Sequence, residues 1–494
     1  MLSSETMLLL TILVPLAAVI GIVAAGRYPN LREAVSLSAA LVLIYLTYNL
    51  YRLTESGLTV SWEGLQILPG LALFFNIEPL GLLFSLIGSF LWLITTLYAI
   101  GYMRGHQEEN QTRFYVCFAI AISSVMGIAY AGNLFTLFIF YEILTLSTYP
   151  LVTHAGTEKA KLGGRVYLGI LLTTSILFLL LAIIGTWHTA GTVDFRAGGV
   201  FDQSQKFAAA VLLPLYIFGI GKAAIMPFHR WLPAAMVAPT PVSALLHAVA
   251  VVKAGVFSVL KVCTYIFGFD LLGQLPTTEF LLYLAGASVI IASLVAMRQD
   301  NLKARLAYST VSQLSYITVG ALLANSAGAL GGAMHIGMHA FGKITLFFCA
   351  GAIMVASHKS EISDMHGLGR RMPVTMAAFF IGSLSIIGLP PGGGTWSKWY
   401  LMIATIEADK LILMVVLMAS SLLNIAYLLP IPIKGFLYPD PDVQGADKKV
   451  REAPLPSLIA LSLTALGCIV LFVYPQPLYE LATHFLEAAG LHGR

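Results

Sequence analysis

Eight ionisable side chains stand inside apolar stretches of this chain: Glu142, Lys222, His247, Lys253, His335, His339, Lys343 and Lys398. Amines, imidazoles and carboxylates removed from water exchange protons near neutral pH, so this set points to proton handling. Glu142 lies in NLFTLFIFYEILTLSTYPLV, among Phe138, Phe140, Tyr141, Ile143 and Leu144. It reads either as a proton-binding or gating carboxylate or as half of a buried structural ion pair. Lys222 lies in IFGIGKAAIMPFHRWLP. The Gly-x-Gly-Lys stretch is not a phosphate loop, because Tyr216 takes the first glycine position and Ala223 the Ser/Thr position. Lys222 is therefore a proton carrier or a fixed counter-charge.

His335, His339 and Lys343 recur at four-residue spacing in MHIGMHAFGKITLFF. That spacing lays them along one helical stripe, as a relay would need. Two histidines four apart also suit zinc. No acidic or cysteine residue joins them on that face, and the lysine opposes a cation, so relay is preferred over metal. His247 and Lys253, in PVSALLHAVAVVKAG, are separated by about 600° of regular helix and would not share a face. They serve one path only if their helix is buried on several sides. Lys398 follows the run GLPPGGGTWSKWY. Lys261 lies nearer the end of its segment and is expected to snorkel.

The segments that carry these groups are membrane spans. Apolar residues make up 58% of the 494 and charged residues 11%, with a mean hydropathy of +0.84. A soluble domain carries about 25% charged residues. Soluble enzymes, nucleic-acid binders and disordered chains are excluded. At about 20 apolar residues per crossing, the composition supports about fourteen spans. The expected fold is an all-α polytopic membrane protein of about fourteen transmembrane helices. Val60, Trp62, Phe74 and Phe75 mark a short hairpin or surface loop over Thr59–Ile77. The N-terminus MLSSETMLLL has no basic leader and no cleavage site, and is read as the start of a first retained helix. Cys117, Cys263, Cys349 and Cys468 are scattered, with no metal or disulfide spacing.

Alternating the loops between two sides sorts the basic residues unequally. One side holds eighteen, from Arg27 and Arg32 through Arg298, Lys303 and Arg305 to Lys448, Lys449 and Arg451. The other holds five: Arg52, Arg196, Lys206, Lys410 and Arg494. The richer side is cytoplasmic, which predicts that both termini are extracytoplasmic. Five lysines and Glu142 remain inside spans. At about 2.5–3.5 kcal/mol each, roughly 15–21 kcal/mol would be lost if they faced lipid, so they face protein or water.

Two segments are broken by proline and glycine: Ala238–His247 and Gly388–Gly394. Irregular backbone at membrane depth survives only within protein or beside water. Paired breaks predict inverted-topology repeats. The expected division is 1–112 (three helices and the hairpin), 113–267 (first repeat), 268–437 (second repeat) and 438–494 (last helix and tail).

The stretches GKAAIMPFHRWLPAAMVAPTPVSALLHAVAVVKAGVF, NLKARLAYSTVSQLSYI, HIGMHAFGKITLFFCAG and GLPPGGGTWSKWYL, with Glu142, resemble the proton-translocating antiporter family. That family includes membrane subunits of respiratory complex I, related hydrogenases and Mrp-type cation/proton antiporters. The resemblance implies a hydrophilic axis along the membrane midplane. Glu142 and Lys222 would form the first-half ion pair. Lys253, His247, His335, His339 and Lys343 would link the halves, and Lys398 would be the terminal lysine. The length is most similar to the D-type subunit of Mrp antiporters. Two positions depart from the family: Ala234 stands where an acidic residue often follows W-L-P, and Gly394-Thr395-Trp396 precedes Ser397-Lys398.

The expected function is a proton-translocating subunit of a multisubunit Na⁺ or K⁺/H⁺ antiporter in a bacterial or archaeal cell membrane. Its partners would be other membrane subunits, and it would carry no cofactor or metal. The rival is a proton-pumping subunit of a complex I-like or hydrogenase redox complex. A third reading is a scaffold subunit without conduction.

Overall fold

The computed structural model describes residues 3–68, 71–439 and 450–491. Lys448, Lys449 and Arg494 of the charge count lie outside the described residues. Eleven of the described helices are long and apolar enough to cross a membrane. In chain order they are α1 (Ser4–Ala24), α2 (Pro29–Glu55), α3 (Pro79–Gly105), α4 (Gln111–Ala129), α5 (Leu134–Val152), α6 (Glu158–Ala190), Thr240–Phe267, Pro276–Arg298, Ser326–Ser357, Leu411–Leu437 and Leu455–Val473. The other three segments expected from the sequence are also helical, but do not join that set. Lys206–Gly219 is short, and Leu302–Leu322 is polar. The third is split into Pro373–Ile387 and Gly394–Glu407. An antiparallel hairpin, β1 (Ser61–Leu68) and β2 (Leu71–Asn76), lies between α2 and α3, where the sequence marks one.

Local chemistry sets the helix ends. The first amides of a helix lack partners, and lipid offers none. Side chains of Ser3, Asn133, Thr157, Asn301 and Asn325 accept from those amides at five N-termini. Proline starts α2, α3 and Pro373–Ile387, where its missing N–H costs nothing.

The helix Thr240–Phe267 runs through the middle of the bundle, wholly buried in its apolar window. Ser326–Ser357 packs beside it and is also mostly buried, whereas α1, α6 and Leu455–Val473 leave two thirds of theirs to the lipid. Five of the eight ionisable groups ride on these two inner helices. All four cysteines are buried and unpaired.

The breaks differ in detail from those expected. In the second half, Pro373–Ile387 stops at Gly388 (φ 88°) and helix resumes at Gly394, as the Pro-Gly run predicts. In the first half the interruption falls earlier than Ala238–His247. Lys206–Gly219 stops, Gly221–Ala223 makes one tight turn, and Ala224 is left-handed (φ 54°). Helix resumes only at Thr240. A second disturbance, a wide turn at Leu245–Val249, ends at Ala250 (φ −113°, ψ −77°), between His247 and Lys253.

Candidate functional site

Lys222 occupies the first-half break and is fully buried. Its ammonium donates to the carbonyl of Tyr141 (2.7 Å) and the hydroxyl of Thr145 (2.6 Å). The ring of Tyr141 lies beneath it, 3.1 Å from Nζ to the centroid. The Tyr141 hydroxyl accepts from the backbone N–H of Lys222 (3.0 Å). One tyrosine thus holds both the charge and the irregular backbone that carries it. Glu142, next in sequence, does not close on the lysine. Both its carboxylate oxygens are buried without a hydrogen-bond partner. The expected direct Glu142–Lys222 pair is therefore corrected. Packing aims α5 so that the carbonyl and ring of Tyr141, not the neighbouring carboxylate, meet the ammonium.

Gly255 explains how the central helix reaches this turn. A Cβ there would stand 2.3 Å from the carbonyl carbon of Lys222 and from the amide nitrogen of Ala223. Only glycine allows that approach.

The disturbance at Ala250 resolves the phase problem between His247 and Lys253. His247 Nδ1 lies 3.1 Å from the Thr310 hydroxyl, and its ring sits 4.6 Å from that of Phe347. Lys253 Nζ lies 2.5 Å from Nδ1 of His339. Both residues thus address the same neighbour, Ser326–Ser357, which a regular helix would not permit.

From His339 the polar line continues through rings. His339 and His335 stack at 5.7 Å, one turn apart, and His335 stacks on Tyr316 at 5.9 Å. His335 Nδ1 lies 2.8 Å from the Ser397 hydroxyl. Lys398, one residue on, places Nζ 4.6 Å from the Tyr316 centroid and donates to the Ile387 carbonyl (3.1 Å) and Ser421 (3.2 Å). Its stem passes Gly388, where a Cβ would lie 2.7 Å from Cδ of Lys398. Lys398 forms part of the wall of a cleft of about 360 Å³ whose other walls are largely apolar, including Trp399, Met418 and Leu422. Lys343 leaves this line and donates to Ser309 (2.6 Å) and the Leu306 carbonyl (3.3 Å).

Buried polar atoms without partners follow the same route. They include both oxygens of Glu142, Nε2 of His247, His335 and His339, and both amide atoms of Gln313. Buried polar groups are nearly always hydrogen-bonded to protein or water, so this row marks where water is needed.

Sequence reasoning misses the hydroxyl and ring partners: Tyr141, Thr145, Ser309, Thr310, Tyr316 and Ser397. One signal points to some of them. Leu302–Leu322 carries Ser309, Thr310, Ser312, Gln313, Ser315 and Thr318 within an otherwise apolar segment. The sequence also misplaces Lys261, which does not snorkel. That side chain is fully buried, 3.1 Å from the Glu78 carboxylate, and donates to the Ala131 carbonyl (2.7 Å).

Comparison with known proteins places this arrangement in context. Residues 131–424 match the family described as NADH:quinone oxidoreductase/Mrp antiporter, transmembrane. NADH-quinone oxidoreductase subunit N of Desulforudis audaxviator is 31% identical over 414 residues, 81% of this chain and 82% of that protein. A probable K⁺/H⁺ antiporter protein of Rhizobium meliloti is 30% identical over 487 residues, 96% of this chain and 47% of that protein. The chain therefore spans about half the length of that relative, and likewise 50% of NAD(P)H-quinone oxidoreductase chain 5 of Synechocystis. Among solved structures, the Mrp complex of Dietzia contains a similar chain (TM-score 0.86, 22% identity), with 100% of this chain and 98% of that one covered. An archaeal membrane-bound sulfane sulfur reductase contains another (TM-score 0.85, 23% identity), with 98% and 97% covered. Both share the fold.

Proposed function

This chain belongs to the NADH:quinone oxidoreductase/Mrp antiporter transmembrane family, and on that premise we propose that it is the proton-translocating subunit of a multisubunit Na⁺ or K⁺/H⁺ antiporter. The observation that carries the proposal is the buried line Lys253, His339, His335, Tyr316, Lys398, each member in contact with the next. At its other end Gly255 brings Lys253's helix against the backbone of Lys222. Amines and imidazoles in that order can take up and release protons without a cofactor.

In this reading Glu142, unpaired and close in sequence to the residues that hold Lys222, sets how firmly Lys222 keeps its proton. Release from Lys222 passes charge to Lys253 and the histidines, and Lys398 is the far terminus. His247 and Lys343 join from the sides. Water fills the gaps at the unpaired atoms. The protein is a transporter subunit, not a catalytic one, and works among other membrane subunits. Residues 113–267 and 268–437 form the two inverted repeats, which the paired breaks at Lys222 and before Lys398 support. The basic loops face the cytoplasm, with both termini outside a bacterial or archaeal cell membrane.

A second reading, a proton-pumping subunit of a redox complex, is favoured by the likeness to quinone oxidoreductase subunits. The same residues would carry the protons. The deciding experiment is cation-dependent ΔpH dissipation in vesicles holding the protein with its native partners, with and without Lys222→Ala. Na⁺- or K⁺-triggered proton movement that the variant loses supports the antiporter. No cation response, with proton uptake on adding a reductant, supports the redox pump.

A further inference from the structure

One water-sized route leads from the basic face of the molecule toward the buried line. A cavity of about 390 Å³ is walled by Asp300, Arg305, His366, Tyr427 and Lys434, among others. Tyr427 belongs both to that wall and to the interior. Its hydroxyl lies 2.9 Å from Ser309 Oγ, and Ser309 Oγ lies 2.6 Å from Nζ of Lys343. We infer that this cavity is the aqueous mouth through which Lys343 exchanges its proton, with the hydroxyls of Tyr427 and Ser309 as the two carriers between them.

The inference rests on the transport reading above and adds to it a place where protons join the line. Three further observations support it. The chain of donors is unbroken, with two hydrogen bonds joining three groups. Second, the buried amide nitrogen of Asn424, whose carbonyl oxygen accepts from the same Tyr427 hydroxyl, has no partner. A buried donor left so costs about 1–3 kcal/mol unless water meets it, so a water belongs beside Tyr427. Finally, the wall is braced. Arg305 donates to the Tyr427 carbonyl (3.0 Å) and to the Gln299 carbonyl (2.8 Å), while Asp300 accepts from the Ser363 hydroxyl (2.7 Å).

The transfer balances in either direction. With Lys343 neutral, Ser309 gives its proton to Nζ and takes one from Tyr427, which is refilled from water in the cavity. With Lys343 charged, Nζ gives a proton to Ser309, Ser309 gives its own to Tyr427, and Tyr427 gives its own to water. Each hydroxyl loses one proton and gains one, and no other reactant is required.

The test measures proton movement in vesicles with the native partners under two drivers, a Na⁺ or K⁺ step and an added reductant. Tyr427→Phe keeps the ring and removes one hydroxyl, and Ser309→Ala removes the other. Each is expected to slow proton movement at least tenfold with the complex assembled, and to raise the ratio of rates in H₂O and D₂O. The double variant should be no slower than the slower single one, because both interrupt one route. A wild-type rate in either variant, under whichever driver moves protons, overturns the inference and leaves the transport reading standing. No proton movement in the unaltered complex under either driver overturns both. Should Tyr427→Phe fail to assemble, Ser309→Ala decides alone.

Discussion

Nζ of Lys253 lies 2.5 Å from Nδ1 of His339, between two helices that are both buried in the protein. An ammonium can donate to an imidazole nitrogen only if that nitrogen is unprotonated, so the contact holds one mobile proton and not two. Replacing Lys253 with Met or His339 with Ala removes one side of the exchange. Each change should lower cation-driven proton movement at least tenfold while the complex still assembles. The two together should cost no more than the worse single change, since they break the same step. Additive losses, measured as initial rates of ΔpH dissipation, would show that the two groups act separately.

Gly255 and Gly388 each hold a lysine in place, and backbone geometry sets the cost of changing them. At Gly255 an added Cβ meets backbone atoms of Lys222 and Ala223 at 2.3 Å, which cannot swing aside. Gly388 sits at φ 88°, and its Cβ would meet the flexible stem of Lys398 at 2.7 Å. Gly388→Ala should destabilise by about 1–3 kcal/mol through backbone strain. Gly255→Ala should cost more, because whole helices must part. Gly169→Ala, with nothing within 4 Å of the added carbon, is the neutral reference. Thermal midpoints of the purified complexes, ranked Gly169→Ala above Gly388→Ala above Gly255→Ala, check the order.

Charge in an apolar segment is readable without any structure. All eight ionisable groups are indeed inside, because lipid exposure of a charge is too costly in any fold. The break before Lys398 is equally legible, since a Pro-Pro-Gly-Gly-Gly run has no helical option. The partners are not. Which residue meets Lys222 depends on the rotation of α5, and a turn of one position exchanges the Glu142 carboxylate for the Tyr141 carbonyl. The hydroxyls of Thr145 and Ser309 are hidden for another reason. Ser and Thr in helices commonly bond back to their own turn, and Thr145 does so to Tyr141 (3.1 Å) while also accepting from Lys222. The first-half break lies ahead of its expected place because Pro239 and Pro241 are louder signals than the glycines around Lys222.

Glu78 and Lys261 show the same limit, since each looks unremarkable until the fold brings them to 3.1 Å. Lys261 also ties Ala131, in the turn between α4 and α5, and lies 4.4 Å from the Phe195 ring. Lys261→Met strands a buried carboxylate, and losing one member of such a pair typically costs about 3–5 kcal/mol. The amount of assembled complex should fall accordingly. Adding Glu78→Gln removes the stranded charge and should restore much of the loss. Proton movement per assembled complex should stay near wild type in the double variant, because the pair joins segments and lies off the line of the relay. A transport defect that persists after assembly is restored would instead place Lys261 among the carriers.

His154 ties the turn after α5 to α4, and it makes that junction sensitive to acid. Its carbonyl accepts from Arg113 (3.0 Å), its ring is 5% exposed, and neither ring nitrogen has a hydrogen-bond partner. Burial is the largest influence and holds the ring below its ordinary value of 6.5, against the opposing pull of Glu108. His229, in the loop after the first-half break, is lowered for the same leading reason. The sign follows from proton counting. Below about pH 6.5 the unfolded chain binds a proton that the folded chain refuses, so stability falls as acid is added. The loss starts near the ordinary histidine value and ends only at the lower folded one. Above that window neither group contributes. Thermal midpoints should therefore drop between about pH 7.5 and about pH 5.5, and His154→Gln should flatten the drop. An equal slope in wild type and variant would mean that His154 takes up its proton as readily in the folded chain as in the unfolded one.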